Sequence, residues 1–542
     1  MGSTGGFVPL RLVQPCRRTA LRIVVLALLL FLVAGVSVRG FGLYHWHDSQ
    51  RVFELLALLV VGAAMLACPP ALRSLVHEAL RWIGVRGLAA LGAAAALGLF
   101  SAWHAASQRF ALIEVCILFL LGLCVLGVAR ARALEGRRLD IVLLCAILAA
   151  AAALCATFLV AWLAAVSSDA GFFSELLFQS GFSNVRFLGQ FHTFALPLLA
   201  CACLLPGLRP FYRALVFMLL ALTWTMAIGT VTRGTWFAWV AAVIILLPFA
   251  RARLLPLLQM QLGGLVAGAL LAWVMFDWVP QMLASADASA FGLFTGRFSD
   301  PLALRSRDLL WMRAAELIAA HPWTGVGPMM LALDHNPVAT HPHNALIQLA
   351  AEWGLPAAVL MTAVGIGLWW KLAASLPRLQ WPRSPGSPAS SVSPDAARLG
   401  VLLPVALVWA VTAAAIHAMV DGLLVMPYAQ VAGAMILGWT LGVLRPSAVR
   451  RTAPAAVRRR GPGRRCVSVL QAGAAVAVAA AGLFLAAGTW PELSRLEARE
   501  DAFFERHPFE VLSKPRLWSQ GWLHDDVPED TVRGPLRMPR GQ

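Results

Sequence analysis

A chain that returns again and again to about twenty consecutive apolar residues has few folds open to it, because such a run is the length that crosses roughly 30 Å of hydrocarbon as a helix. We read about thirteen such runs, at 21–38, 52–68, 87–103, 110–129, 140–166, 191–206, 213–231, 235–250, 257–279, 345–370, 399–419, 428–444 and 467–488. Hydrophobic residues make up 59% of the 542 and charged residues only 13%, so no single aqueous core has room for this surface. The expected fold class is an all-α polytopic membrane protein.

The charges give the runs a direction. Arg73, Arg81 and Arg86 share one connection, Arg130, Arg132, Arg137 and Arg138 another, and Arg209 with Arg213 a third; Arg251 with Arg253, Lys371 with Arg378 and Arg383, and Arg445 to Arg465 continue the series. These alternate with connections poor in positive charge, the positive-inside pattern, and they place the N-terminus in the cytoplasm. A net charge of +17 also suits nucleic acid, but the arginines sit in short loops between spans, and no nucleic-acid partner is expected.

The layout that follows is a cytoplasmic N-terminus at 1–20, nine spans within 21–279, a long external loop at 280–342, four spans within 343–488 and an external tail at 489–542. Arg11, Arg17, Arg18 and Arg22 precede the first run, which is long for a signal peptide and is read as an uncleaved span. A Pro/Ser-rich stretch, SPGSPASSVSP, reads as a flexible cytoplasmic linker. Within the long loop, 306–320 reads as an amphipathic helix with Leu310, Ala314, Leu317 and Ile318 on one face, suited to the membrane interface. None of the nine cysteines falls in a predicted external loop, so neither a disulfide framework nor a zinc spacing is expected. No glycine-rich nucleotide loop or P-loop occurs, which leaves any chemistry to loops and span ends.

An arginine on the external side works against topology and survives where something compensates it. The short external loops hold Arg39, Arg109, Arg186 and Arg233; the long one holds Arg297, Arg305, Arg307 and Arg313. Arg233, in TVTRGTW, has almost no loop around it and is either an anion contact or an arginine reaching out from a helix end. Arg186, in NVRFLGQFHTF, is a second anion contact or an interfacial anchor, with Gln190 as a neighbouring support. His343 in HPHNALIQLAAEWG is a candidate general base, with Asn344 opening a helix and Glu352 an acid close to an apolar span. His341 and His343, even with Asp334 and His335, offer no recognised ligand spacing, so no metal and no cofactor are expected. His417 and Asp421 lie one helical turn apart at the outer end of a span, as a mutually satisfied polar pair or as support for the site.

The stretch from Leu309 to Gly354 resembles the signature of the O-antigen ligase and polymerase superfamily. It reads WMRAAELIAAHPWTGVGP and then HPHNALIQLAAEWG. The ligase pattern is His, then Asn, Ser or Gln, nine residues, and Gly-x-x-Gly/Thr/Tyr; His343-Asn344 is followed by nine residues and Gly354, with Ala357 departing at the last position. The resemblance extends over roughly residues 100 to 445, by local context only. It implies a glycosyltransferase in the bacterial inner membrane with its active site on the periplasmic face. The implied donor is a glycan on undecaprenyl pyrophosphate, engaged by Arg186 and Arg233; His343 would activate the acceptor hydroxyl, inverting the anomeric centre without a metal. Lipid A-core is the acceptor to which the motif spacing leans. A growing glycan would make the chain a polymerase and an exported protein would make it a protein O-oligosaccharyltransferase. A transporter or flippase of lipid-linked glycan fits the many spans equally, although no internal repeat is evident; a membrane scaffold would need neither the external arginines nor the histidine.

Overall fold

The computed structural model describes residues 10–40, 45–167, 175–178, 181–283, 302–333, 339–379, 394–445 and 464–506. The linker as far as Ser393, Arg297, Asp334, His335 and the tail beyond Arg506 lie outside the described residues, as does the side chain of Arg305. Among the described residues there are helices and no strands, as a segment in lipid must satisfy its backbone within itself.

The helices are α1 (Leu10–Ser37), α2 (Trp46–Ala67), α3 (Pro69–Trp82), α4 (Gly84–Trp103), α5 (Gln108–Glu135), α6 (Arg137–Ser167), α7 (Val185–Cys203), α8 (Pro210–Thr230), α9 (Arg233–Trp273), α10 (Leu302–Ala320), α11 (Ala345–Trp353), α12 (Leu355–Ala373), α13 (Pro394–His417), α14 (Pro427–Val443) and α15 (Arg464–Arg506). Among the described residues, eleven helical segments are long and apolar enough to cross a membrane.

The difference from about thirteen expected spans lies in two places. The runs 235–250 and 257–279 belong to one segment, Arg233–Met282, which includes a π-turn at Val274–Trp278 and leaves helical geometry at Ala250. The segment folds back on itself there. Trp224 of α8 packs on Trp236 and Trp239 and also donates its Nε1–H to Gln261 at 2.8 Å. On a straight helix Trp236 and Gln261 would stand about 37 Å apart at ~1.5 Å per residue, so one tryptophan reaches both only if the two arms lie side by side. The run 428–444 forms α14, whose 17 residues make it a short crossing.

A third expected span is also divided. The run 345–370 breaks at Gly354 into α11 and α12. Gly354 has φ +82°, and a Cβ there would overlap the Trp323 carbonyl, so the loop after α10 wedges the helix open at a position only glycine tolerates. The predicted amphipathic helix is present, but its apolar face is taken by protein: Leu310 and Ala314 are buried, and Ala314, Leu317 and Ile318 pack with Ile347 and Ala351 of α11.

At the centre stand α7, α13 and α14, with α7 buried along nearly its whole length. Small residues let the neighbours close in. A Cβ at Gly438 of α14 would overlap the Val125 carbonyl of α5. At one end of the bundle the arginine-rich connections meet: Arg130 and Arg445 both reach Glu78, at 4.0 and 3.2 Å, and Arg253 donates to the carbonyls of Pro377 and Leu379. One expectation about the cysteines is overturned here. Cys16 and Cys68, 52 residues apart, are joined in a disulfide with their Cα atoms 6.3 Å apart, because the α1–α2 hairpin returns the chain to the same end.

Candidate active site

The opposite end of the bundle collects the singled-out polar residues, and backbone geometry explains how. α8 stops at Val231, whose left-handed φ of +46° turns the chain within two residues into α9. Thr235 then donates to the Gly189 carbonyl of α7 at 2.8 Å, and Gly189 leaves no room for a side chain between it and Thr232. This contact sets Arg233, the first residue of α9, beside the start of α7. There Asn184 accepts the Arg186 N–H at 2.8 Å, capping α7, and the Arg186 side chain is exposed in the first turn.

His343 reaches the same place on a rigid support. Its backbone is left-handed, φ +52°, which costs a non-glycine residue about 1–2 kcal/mol and is held by its neighbours. Asn344 caps α11 by accepting from Leu346 and Ile347 at 3.0 and 3.1 Å, and it donates to the Met419 carbonyl at 3.1 Å. The Ala345 N–H donates to the Ala418 carbonyl at 2.8 Å, and Trp311 of α10 donates to the Pro342 carbonyl at 2.8 Å. Three elements therefore orient one imidazole.

That imidazole meets Asp421, with Nδ1 3.2 Å from Oδ1. The same carboxylate receives the Gly422 N–H at 2.8 Å and the Gln190 amide at 3.1 Å, and lies 3.6 Å from His417 Nε2. His417 Nδ1 is in turn 2.7 Å from the Thr193 hydroxyl. Burial opposes ionisation of Asp421, but its hydrogen bonds to and charge interactions with His343 and His417 hold the carboxyl well below the usual range. Asp421 is thus a buried anion whose oxygens are fully engaged. A pair that looks local in sequence is the hub of the site.

Around the hub stand guanidinium groups. Arg307 on α10 is half-buried; burial lowers its pKa, the charges of Arg186 and Arg233 lower it further, and that of Asp421 opposes them. Arg307 is therefore within electrostatic reach of Arg186, of Arg233 and of the carboxylate. Of these, Arg307 was legible only as one of several arginines on the wrong side of the topology. Others in that set have structural partners: Arg109 pairs with Glu492 at 2.6 Å, Arg313 with Glu316 at 2.8 Å, and Arg39 lies over the Trp46 ring.

Glu352 is not part of this hub. It sits on α11, outside the spans, where it lines a small cavity with Thr340, His341, Gln348 and Glu114. Burial pushes its carboxyl up to about 8, opposed by hydrogen bonds from Met329, Gln348 and Leu331. Asn344 does reach the site, through its bond to Met419 two residues before Asp421.

The arrangement supplies a positioned imidazole backed by a carboxylate, next to a concentration of positive charge. Such a pairing takes a proton from a hydroxyl while fixed cations receive developing negative charge. Residues 216–362 match a family model described as O-antigen ligase, an interval that includes Arg233, Arg307 and His343 and ends before His417 and Asp421. No curated protein matches the chain.

Proposed function

We propose that the chain, whose residues 216–362 match a family model described as O-antigen ligase, transfers a glycan from an undecaprenyl-pyrophosphate-linked donor to an acceptor hydroxyl, with lipid A-core as the acceptor, at the periplasmic face of a bacterial inner membrane. The observation that carries this reading is the convergence of His343 on Asp421 beside three arginines drawn from α7, α9 and α10.

The diphosphate of such a donor is a diester bearing two negative charges. The arginines gathered near Asp421 suit such an anion, and the planar guanidinium suits phosphate oxygens two at a time. As the anomeric C–O bond breaks, negative charge grows on the departing diphosphate, and fixed arginines stabilise it without reorganising. No metal is needed for that task. On the acceptor side, Asp421 holds the His343 Nδ1–H, which leaves Nε2 as the proton acceptor. An ordinary hydroxyl is far too weak an acid to ionise first, so the proton moves to Nε2 as the oxygen attacks the anomeric carbon. Direct displacement inverts that carbon. The proton on His343 is then shed to solvent and the lipid diphosphate leaves.

The test is transfer in detergent from a purified lipid-linked glycan, with lipid A-core, a second lipid-linked glycan and a serine-bearing peptide as alternative acceptors. Lipid A-core should be glycosylated by wild type and not by a folded His343→Ala variant. Transfer by that variant at the wild-type rate would overturn the assignment of the base. Product on one of the other acceptors alone would keep the chemistry and replace the acceptor. Absence of transfer to all three would remove the enzyme reading.

A further inference from the structure

One residue at the site has no task in the mechanism above. His341 is buried, with 6% exposure, and neither ring nitrogen has a hydrogen-bond partner. A buried imidazole left without a partner costs about 1–3 kcal/mol. Its position is nevertheless accommodated by the backbone: the ring lies directly against Gly422, where any Cβ would overlap Nε2. Its ring centroid is 4.4 Å from that of His343.

We propose that His341, His343 and Asp421 form a site for a transition-metal dication of the zinc type, and that its occupancy silences transfer. One donor atom from each of the three residues lies within 4.8 Å of the other two, and all three residues are buried. In a tetrahedral zinc site with bonds of ~2.0–2.1 Å, neighbouring donors stand about 3.4 Å apart. The 3.2 Å between His343 Nδ1 and Asp421 Oδ1 already matches one such edge, and a small inward rotation of His341 supplies the others. The donor set decides the metal class. Two imidazoles and one carboxylate suit zinc, nickel or copper, whereas magnesium and calcium prefer oxygen shells. A hard cation held mainly by charge would also face three nearby arginines, while bonds to imidazole nitrogen depend less on net charge.

The effect on transfer rests on the reading of His343 as the base. A metal bound at Nδ1 inserts itself between His343 and Asp421 and takes the lone pair of the tautomer that carries the ring proton on Nε2, so the proton moves from Nδ1 to Nε2 by way of solvent. Nε2 is then an N–H with no lone pair for the acceptor's proton. Metal and proton transfer compete for one imidazole.

The experiment uses tag-free, chelator-treated protein in detergent, titrated calorimetrically with zinc chloride, with cobalt(II) as a probe whose visible absorption reports tetrahedral nitrogen and oxygen ligands. One zinc per chain is expected for wild type. Affinity should fall by at least ~10–100-fold in His341→Ala. Gly422→Ala, which expels the ring by contact, should do the same and covers the case in which His341→Ala fails to fold. Zinc should inhibit wild-type transfer reversibly, and metal-free His341→Ala should transfer and resist zinc. Absence of stoichiometric binding, or equal binding by wild type and folded variants, would overturn the site. Stoichiometric binding that leaves transfer untouched would overturn the inhibition. Binding as expected in a protein that transfers to no acceptor would uphold the metal site and fail the glycosyltransferase reading instead.

Discussion

Replacing Asp421 by asparagine removes a charge while changing the shape of the site very little. Its size follows from one distance. When His343 accepts the acceptor's proton, an imidazolium forms 3.2 Å from the Asp421 carboxylate. At an effective dielectric of about 20 two unit charges that far apart attract by roughly 5 kcal/mol. Asp421 divides its attention between His343, His417, Gln190 and the Gly422 N–H, and an amide oxygen retains part of the hydrogen bond, so about half to all of this is lost. At ~1.4 kcal/mol per decade the turnover number should fall between about 10²- and 10⁴-fold. The asparagine amide also offers an N–H that fixes Nδ1 as an acceptor and traps the proton on Nε2, the wrong tautomer for a base. Donor binding by the arginines should hardly change, so KM for the lipid-linked glycan stays within about threefold. The assay is initial-rate transfer at saturating acceptor, with monodispersity on size exclusion confirming the fold. A folded Asp421→Asn protein turning over at the wild-type rate would refute the role of the carboxylate.

Three further outcomes are expected. Arg307→Ala should lower kcat/KM for the donor by about 10- to 100-fold, as a lost hydrogen bond to a charged group does, and Arg307→Lys should recover only part because it lacks the fork; equal rates in steady-state assays of both variants would count against a bidentate contact. Glu352 is pushed up to about 8, so the folded state holds a proton that the unfolded state releases near 4.5, and the stability tied to it is present below 4.5 and lost as pH rises through 8. Thermal melting of wild type should therefore decline between about pH 4.5 and 8, by at most ~1.4 kcal/mol per pH unit, and level off above that, and Glu352→Gln should flatten the decline. Gly354→Ala should lower melting and transfer together, since a strained φ costs about 1–3 kcal/mol and the clash with Trp323 shifts the helix carrying Asn344; unchanged melting would show that the break tolerates a side chain.

The bundle itself is legible from the apolar runs, because lipid leaves a long apolar segment no alternative to a helix. Its breaks are less so. Gly354 is one glycine inside an apolar run, and only contact with Trp323, from a different loop, reveals that it ends a helix. Ala250 has no intrinsic turn preference, and the reversal there follows from packing on Trp224. Arg186 and Arg233 stand out in the sequence because positive charge on that side of the expected topology is unfavourable, and His343 because it opens the ligase-like motif. Asp421 reads in sequence as the neighbour of His417, one turn away. Its bond to His343 joins positions 78 residues apart, which no periodicity records. Arg307 is hidden for a related reason: among several arginines equally out of place, only the tertiary structure separates it from Arg109 and Arg313, which have acidic partners.

The bond between His343 and Asp421 also fixes a moment in the life of the molecule. The pairing that the proposed mechanism needs cannot form in a nascent chain until its 421st residue has left the ribosome and the turn carrying it has met the loop before α11. Up to then the imidazole lacks its carboxylate. A truncated or half-inserted product, however many spans it has threaded, is a basic lipid-facing bundle with no means of moving sugar. Competence arrives in one step, near the end of assembly, and cannot be held by a fragment.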